Sequence, residues 1–121
     1  MEININYKVT YTKQDIDDIL CAALEGGICY WCGEAEVVGE YLGEYASDQI
    51  SRGGTLILHD NESDECYELT PEKFEQGLAK FLSERGTDVL TEEFALDTTE
   101  IDGSDADLIV QYALFGEVVY G

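Results

Sequence analysis

Basic side chains are scarce in this chain. Six lysines and arginines stand against 27 aspartates and glutamates over 121 residues, a net charge of −21. They are Lys8, Lys13, Arg52, Lys73, Lys80 and Arg85, with none between Lys13 and Arg52 and none after Arg85. No basic patch is left to neutralise phosphates, so direct binding of nucleic acid is excluded as an expectation. Histidine is limited to His59, and no Gly-x-Ser-x-Gly elbow surrounds a serine, which removes support for a Ser-His triad. The glycine fingerprints of phosphate and dinucleotide loops are missing. No apolar run approaches the ~20 residues of a membrane span. The opening MEININYKVTYT lacks a basic and then apolar leader, so no secretory signal is predicted. Four cysteines in that setting predict reduced thiols and a cytoplasmic protein.

What is present argues for a folded domain. Hydrophobic residues make up 45% of the chain, and 8 Tyr, 4 Phe and 1 Trp supply aromatic bulk, too much for a disordered acidic tail. The length suits one domain, residues 1–121, with a real core. Self-repulsion at this charge opposes compaction and must be offset or put to use.

Ile3, Ile5, Tyr7, Val9 and Tyr11 alternate and predict a half-buried first strand. Thr12, with Asp15 three residues on, predicts an approximate capping box. The helix it opens buries Ile16, Ile19, Leu20, Ala23 and Leu24, with Gly26 and Gly27 as a left-handed stop. A strand is expected from Ile28 to about Val38, then a short helix or turn and a loop. TLILHD and ECYELT flank NESD as a hairpin. Thr70 and Pro71 start a second helix with Phe74, Leu78, Phe81 and Leu82 inward and Gly86 at its end. Residues 87–103 read as irregular, with one short strand near Glu93–Leu96. Ser104 or Asp102 caps a third helix that stops at Gly116, and Glu117–Tyr120 is expected as a final strand. The fold class is therefore α+β, one domain with an antiparallel or mixed sheet of four to five strands and three helices.

DIDDILCAALEGGICYW and DADLIVQYALFGEVVYG align without a gap at Asp15/Asp105, Asp17/Asp107, Ile19/Ile109, Ala23/Ala113, Leu24/Leu114, Gly26/Gly116 and Tyr30/Tyr120. Either like geometry has selected like residues, or two αβ units form an internal pseudo-repeat. Both readings leave the paired aspartates on the outside.

The metal and redox candidates are weak by pattern. Cys29 and Cys32 form a C-x-x-C after a helix end, where a helix N-terminus cannot activate the first thiol, and strand alternation puts them on opposite faces. A zinc site would need two more ligands from Cys21, His59 and Cys66, of which His59 and Cys66 flank the hairpin turn. Small buried core cysteines are the expectation, with no metal and no cofactor. An EF-hand read onto Asp102 and Gly103 fails, because Thr98 and Ile109 stand where acids are required.

The acidity itself is the productive feature. A rigid domain with regularly spaced carboxylates presents a field comparable to that of DNA, which carries one charge per ~1.7 Å of axis. Such a protein fits the basic groove that another protein keeps for nucleic acid. Glu36, Glu40, Glu44 and Asp48 recur every fourth residue and would line one face if that stretch were helical, about 6 Å apart. Asp60, Glu62, Asp64 and Glu65 form a second cluster at the hairpin tip, and Tyr41 and Tyr45 serve either as contact area or as core.

ALEGGICYWC, EVVGEYLGEYASDQISRGGTL and ALFGEVVYG resemble small acidic proteins that phages and mobile elements of Gram-positive bacteria carry. These are of the anti-CRISPR and anti-restriction type that mimics nucleic acid. The resemblance implies a non-enzymatic inhibitor in the infected host's cytoplasm, with a CRISPR effector such as a Cas nuclease, or a restriction enzyme, as partner. It brings no catalytic residue. Two other classes remain open: an acidic adaptor protein of a mobile element, and a zinc protein using Cys29, Cys32, His59 and Cys66.

Overall fold

A computed structural model describes residue 1 and residues 7–121. Ile3 and Ile5 of the expected first strand lie outside the described residues. Of the remainder of that strand, Thr10 makes one isolated parallel bridge to Ala95. Three α-helices, α1 (Lys13–Ala22), α2 (Pro71–Arg85) and α3 (Gly103–Phe115), accompany three strands, β1 (Cys32–Val37), β2 (Leu56–Asp60) and β3 (Cys66–Leu69). The strands form one antiparallel sheet in the order β1-β2-β3. The α+β class holds. Among the described residues the sheet has three strands rather than four to five. The helical content exceeds three helices, because a π-helical turn (Ala23–Gly27) extends α1 and three short 3-10 turns lie elsewhere. No described helix is long and apolar enough to cross a membrane.

Local chemistry sets the element boundaries. Thr12 Oγ1 accepts from the Asp15 amide, and the Asp15 carboxylate accepts from the Thr12 amide at 2.8 Å, a complete capping box. Asp102 and Asp105 repeat that box on α3. Thr70 caps α2 with Pro71 at its first position. At the far ends the expectation divides. Gly116 closes α3 in the left-handed conformation, whereas α1 has no glycine stop: neither Gly26 nor Gly27 takes a positive φ, and the chain leaves through the π turn. That extra turn and the following Ile28–Trp31 bend delay the strand, so β1 begins at Cys32 and not at Ile28.

One core joins the layers. Ile19, Leu20 and Ala23 of α1, Leu56, Leu58 and Leu69 of the sheet, Phe74, Leu78 and Phe81 of α2, and Ala106, Ile109 and Val110 of α3 are all buried. Gly77 lets α2 and α3 approach closely: a Cβ there would lie 2.6 Å from the Ile109 carbonyl oxygen.

The C-terminal segment is not a strand. Residues 117–121 are irregular and are held by side chains. Gln111, fully buried, accepts the Val119 and Tyr120 amides on Oε1, both at 2.8 Å, and donates from Nε2 to the Tyr120 carbonyl at 3.2 Å. A single side-chain amide thus replaces a neighbouring strand. Tyr120 stacks on Trp31 with ring centroids 4.6 Å apart, and its hydroxyl donates to Asp60 at 2.6 Å. That bond, with the Glu62 amide, holds the Asp60 carboxyl below its usual range. Its contribution to stability is present above the ordinary carboxylate pKa and is lost as pH falls through the lowered one. Burial and the same Asp60 contact push the Tyr120 phenol upward.

The repeated aspartates are not outside. Asp105 and Asp107 are buried. Arg85 donates to Asp105 at 2.5 Å. Asp107 accepts from Tyr30 Oη at 2.6 Å, Trp31 Nε1 at 2.9 Å and Gln111 Nε2 at 2.9 Å. Asp15 and Asp17 are half-buried, and Asp17 accepts from Ser51 Oγ at 2.5 Å. A carboxylate taken from water must be hydrogen-bonded, and these are.

Gln111→Leu removes the tail clamp and one donor to Asp107 together. We expect a loss of about 1–3 kcal/mol or more in urea unfolding, with Trp31 fluorescence shifting to the red as the tail leaves its ring. An unchanged midpoint would mean that the tail contributes nothing to the fold.

Candidate functional site

The sheet has two unlike faces. Leu56 and Leu58 of β2 and Leu69 of β3 are buried, with Ala35 and Val37 of β1 packed beside them. Alternation sends the intervening residues outward. The register pairs Glu34 with His59 and His59 with Cys66, and Glu36 with Ile57 and Ile57 with Glu68. The outer face therefore carries two cross-strand rows, and Glu34, Glu36, Cys66 and Glu68 on it are exposed. Glu34 and Glu36 sit about 7 Å apart along the strand, and Glu36 and Glu68 about 10 Å apart across it. These spacings are near the ~8 Å screening length of physiological salt, so the carboxylates act as one field.

His59 Nε2 lies 2.8 Å from Glu36 Oε1. His59 and Cys66 do face each other across the hairpin, but the other zinc candidates are not gathered around them. Among the described residues no group of three or more His, Cys, Asp or Glu is placed to hold a metal ion. The cysteines also depart from expectation. Only Cys32 is buried, with burial raising its thiol pKa, while Cys29 and Cys66 are exposed and Cys21 is half-buried.

The chain leaves β1 into a loop that is not helical. Residues 38–45 form neither helix nor strand, and the first regular turn is Ala46–Asp48. Glu36, Glu40, Glu44 and Asp48 therefore do not line one helix face: Glu36 stands on β1, Glu40 and Glu44 on the loop, and Asp48 points back into it. The cause is the glycines at 39 and 43 together with side chains that bind the loop backbone. Asp48 Oδ2 accepts from the Glu44 and Tyr45 amides, both at 3.0 Å. Buried Gln49 accepts the Leu42 amide at 3.1 Å and donates to the Glu40 carbonyl at 3.1 Å. Arg52 bridges Asp48 and Asp17, each at 3.9 Å.

This pinned loop displays apolar surface. Tyr41 and Tyr45 are each 60% exposed, so neither is core. Val38 and Leu42 are also exposed. Large side chains held outward on an ordered backbone lose little further entropy on binding. At the hairpin tip Glu62, Asp64 and Glu65 are exposed, whereas Asp60 is half-buried and engaged by Tyr120.

Glu34, Glu68, Val38 and Leu42 belong to this surface and were not singled out from the sequence. Period-two alternation in EAEV and CYEL carried the signal for Glu34 and Glu68. Nothing in an irregular loop marks Val38 and Leu42 as exposed. No family model matches this chain, and comparison with curated proteins and with solved structures gives no match.

Asp48→Ala frees two loop amides without touching an exposed carboxylate of the surface. We expect amide exchange at Glu44 and Tyr45 to speed by about tenfold or more, with the core amides of α3 unchanged. Equal exchange in both proteins would show that Asp48 does not order the loop.

Proposed function

We propose that the chain is a non-enzymatic inhibitor that docks on the basic, nucleic-acid-binding channel of a bacterial defence complex. A CRISPR effector in the cytoplasm of an infected host is the preferred target, and a restriction enzyme is the second of the same kind. The observation that carries this reading is the union of unopposed charge with an ordered aromatic loop. Glu34, Glu40, Glu44, Glu62, Asp64 and Glu68 make no side-chain hydrogen bond or ion pair among the described residues. A lysine- or arginine-lined groove supplies what they lack. Tyr41 and Tyr45 stand among them as the large, rigid contact residues that interfaces favour.

The mechanism is exclusion. The carboxylates steer the protein to the groove, so association is fast and falls steeply with salt. Once seated, Tyr41, Leu42 and Tyr45 bury apolar area and slow release. Nucleic acid and inhibitor then compete for the same cations.

A second reading draws on the same loop. Val38, Tyr41, Leu42 and Tyr45 would also serve an adaptor that binds through apolar contact, its charge conferring only solubility. Salt separates the two. In a capture from bacterial lysate, the inhibitor reading predicts a nucleic-acid-binding complex released by high salt. The double variant Glu40→Lys/Glu44→Lys should fold normally and associate with that complex about tenfold or more slowly. A partner retained through high salt and indifferent to the double variant favours the adaptor.

A further inference from the structure

β1 is an edge strand, and its free edge has a defined chemistry. The Val38 amide donates to the Thr55 carbonyl at 3.1 Å, next in register to the Val37–Leu56 pair. In an antiparallel ladder hydrogen-bonded and non-hydrogen-bonded pairs alternate. Glu34 and Glu36 therefore turn their backbone groups toward β2, while Ala35 and Val37 turn theirs away. By that alternation Ala35 and Val37 form the non-hydrogen-bonded pairs with Leu58 and Leu56, and neither makes a backbone hydrogen bond outside the ladder among the described residues. The side chains alternate in the opposite sense. Ala35 and Val37 continue the packed inner face, and Glu34 and Glu36 stand on the exposed outer face.

We propose that this edge accepts an extended segment of the partner as a fourth strand. The segment that fits has lysine or arginine on alternate residues, opposite Glu34 and Glu36, and small apolar residues between them, over Ala35 and Val37. Main-chain bonds from Ala35 and Val37 supply affinity, and the glutamates select for base, Glu34 without a side-chain partner and Glu36 through the carboxylate that also meets His59. Opposed Cβ atoms in such a pair lie about 5 Å apart, within reach of a charge-assisted contact. The same glutamates disfavour a second copy of this chain, since edge-to-edge pairing would bring like charges together on two molecules each at −21. This inference rests on the acidic-inhibitor reading and adds the manner of recognition.

The test uses the whole protein and two short synthetic peptides of equal composition, one alternating lysine and valine, the other with its lysines and valines in separate blocks. Amide exchange is read residue by residue at low salt. The proposal expects the alternating peptide to slow exchange at Ala35 and Val37 by about tenfold or more and to bind more tightly than the block peptide. Ala35→Pro removes one outward amide, at an edge position where proline is tolerated, and leaves every charge in place. It should weaken the alternating peptide by about tenfold, with Trp31 fluorescence reporting that the fold is intact. Equal, salt-sensitive binding of both peptides without protection at Ala35 and Val37 overturns the edge proposal and leaves the acidic reading standing. Binding of neither peptide overturns the edge proposal and counts against the acidic reading as well. Protection at Ala35 and Val37 in the free protein, with a dimer in sedimentation, overturns it in favour of a second copy.

Discussion

The scarcity of cations governs how this chain folds. With 27 carboxylates and six lysines and arginines, ion pairing cannot satisfy the acids that folding draws away from water. Arg85 serves Asp105 and Arg52 reaches Asp17 and Asp48, and beyond these ion pairs backbone amides, hydroxyls and a few other neutral side-chain donors do most of the work. Asp15, Asp48, Asp97, Asp102 and Asp105 accept from amides at helix starts and turns. Tyrosine hydroxyls donate to Asp60, Glu65, Glu84 and Asp107. Charge-assisted bonds of this kind are stronger than neutral ones, and those at helix N-termini also gain from the helix dipole. Tyr67, Tyr112 and Tyr120 are thus part of the electrostatic solution while also packing against the core.

That solution divides the acids by place. Those at helix starts and beside α3 are engaged and hold the scaffold. On the outer face of the sheet, at the hairpin tip and on the loop after β1, most of the carboxylates have no such partner. There the sheet keeps them in register and Asp48 and Gln49 keep the loop in shape. Carboxylates that oppose compaction are thereby held in fixed places, and the proposed attraction of a basic partner rests on them. In the proposed complex, the exposed Tyr41, Leu42 and Tyr45 of that loop would supply the apolar contact.

Legibility in the sequence followed the range of the interaction. Thr12, Thr70 and Asp102 were readable as caps because a cap is decided within four residues. The NESD hairpin and the Phe74–Leu78–Phe81 stripe were readable because alternation and helical period are local too. Asp107 was not, since its donors Tyr30 and Trp31 lie more than seventy residues away and its burial depends on α3 meeting the bend after α1. Likewise Glu117–Tyr120 has the composition of a strand but lies against Gln111, which supplies a strand's bonds from a side chain. Four-residue spacing at Glu36, Glu40, Glu44 and Asp48 imitated a helix. Gly39, Gly43 and the Asp48 and Gln49 side chains hold a different path. The net charge does not depend on that path, because composition alone sets it.

Competition decides the central claim. The chain would be bound to the defence complex recovered in low salt, and duplex DNA or guide RNA would be titrated into the purified assembly at constant ionic strength. Exclusion from a shared basic channel predicts that nucleic acid displaces the protein stoichiometrically, and that the protein added first prevents nucleic acid from binding. Simultaneous binding of both, with neither affecting the other's affinity, would contradict it.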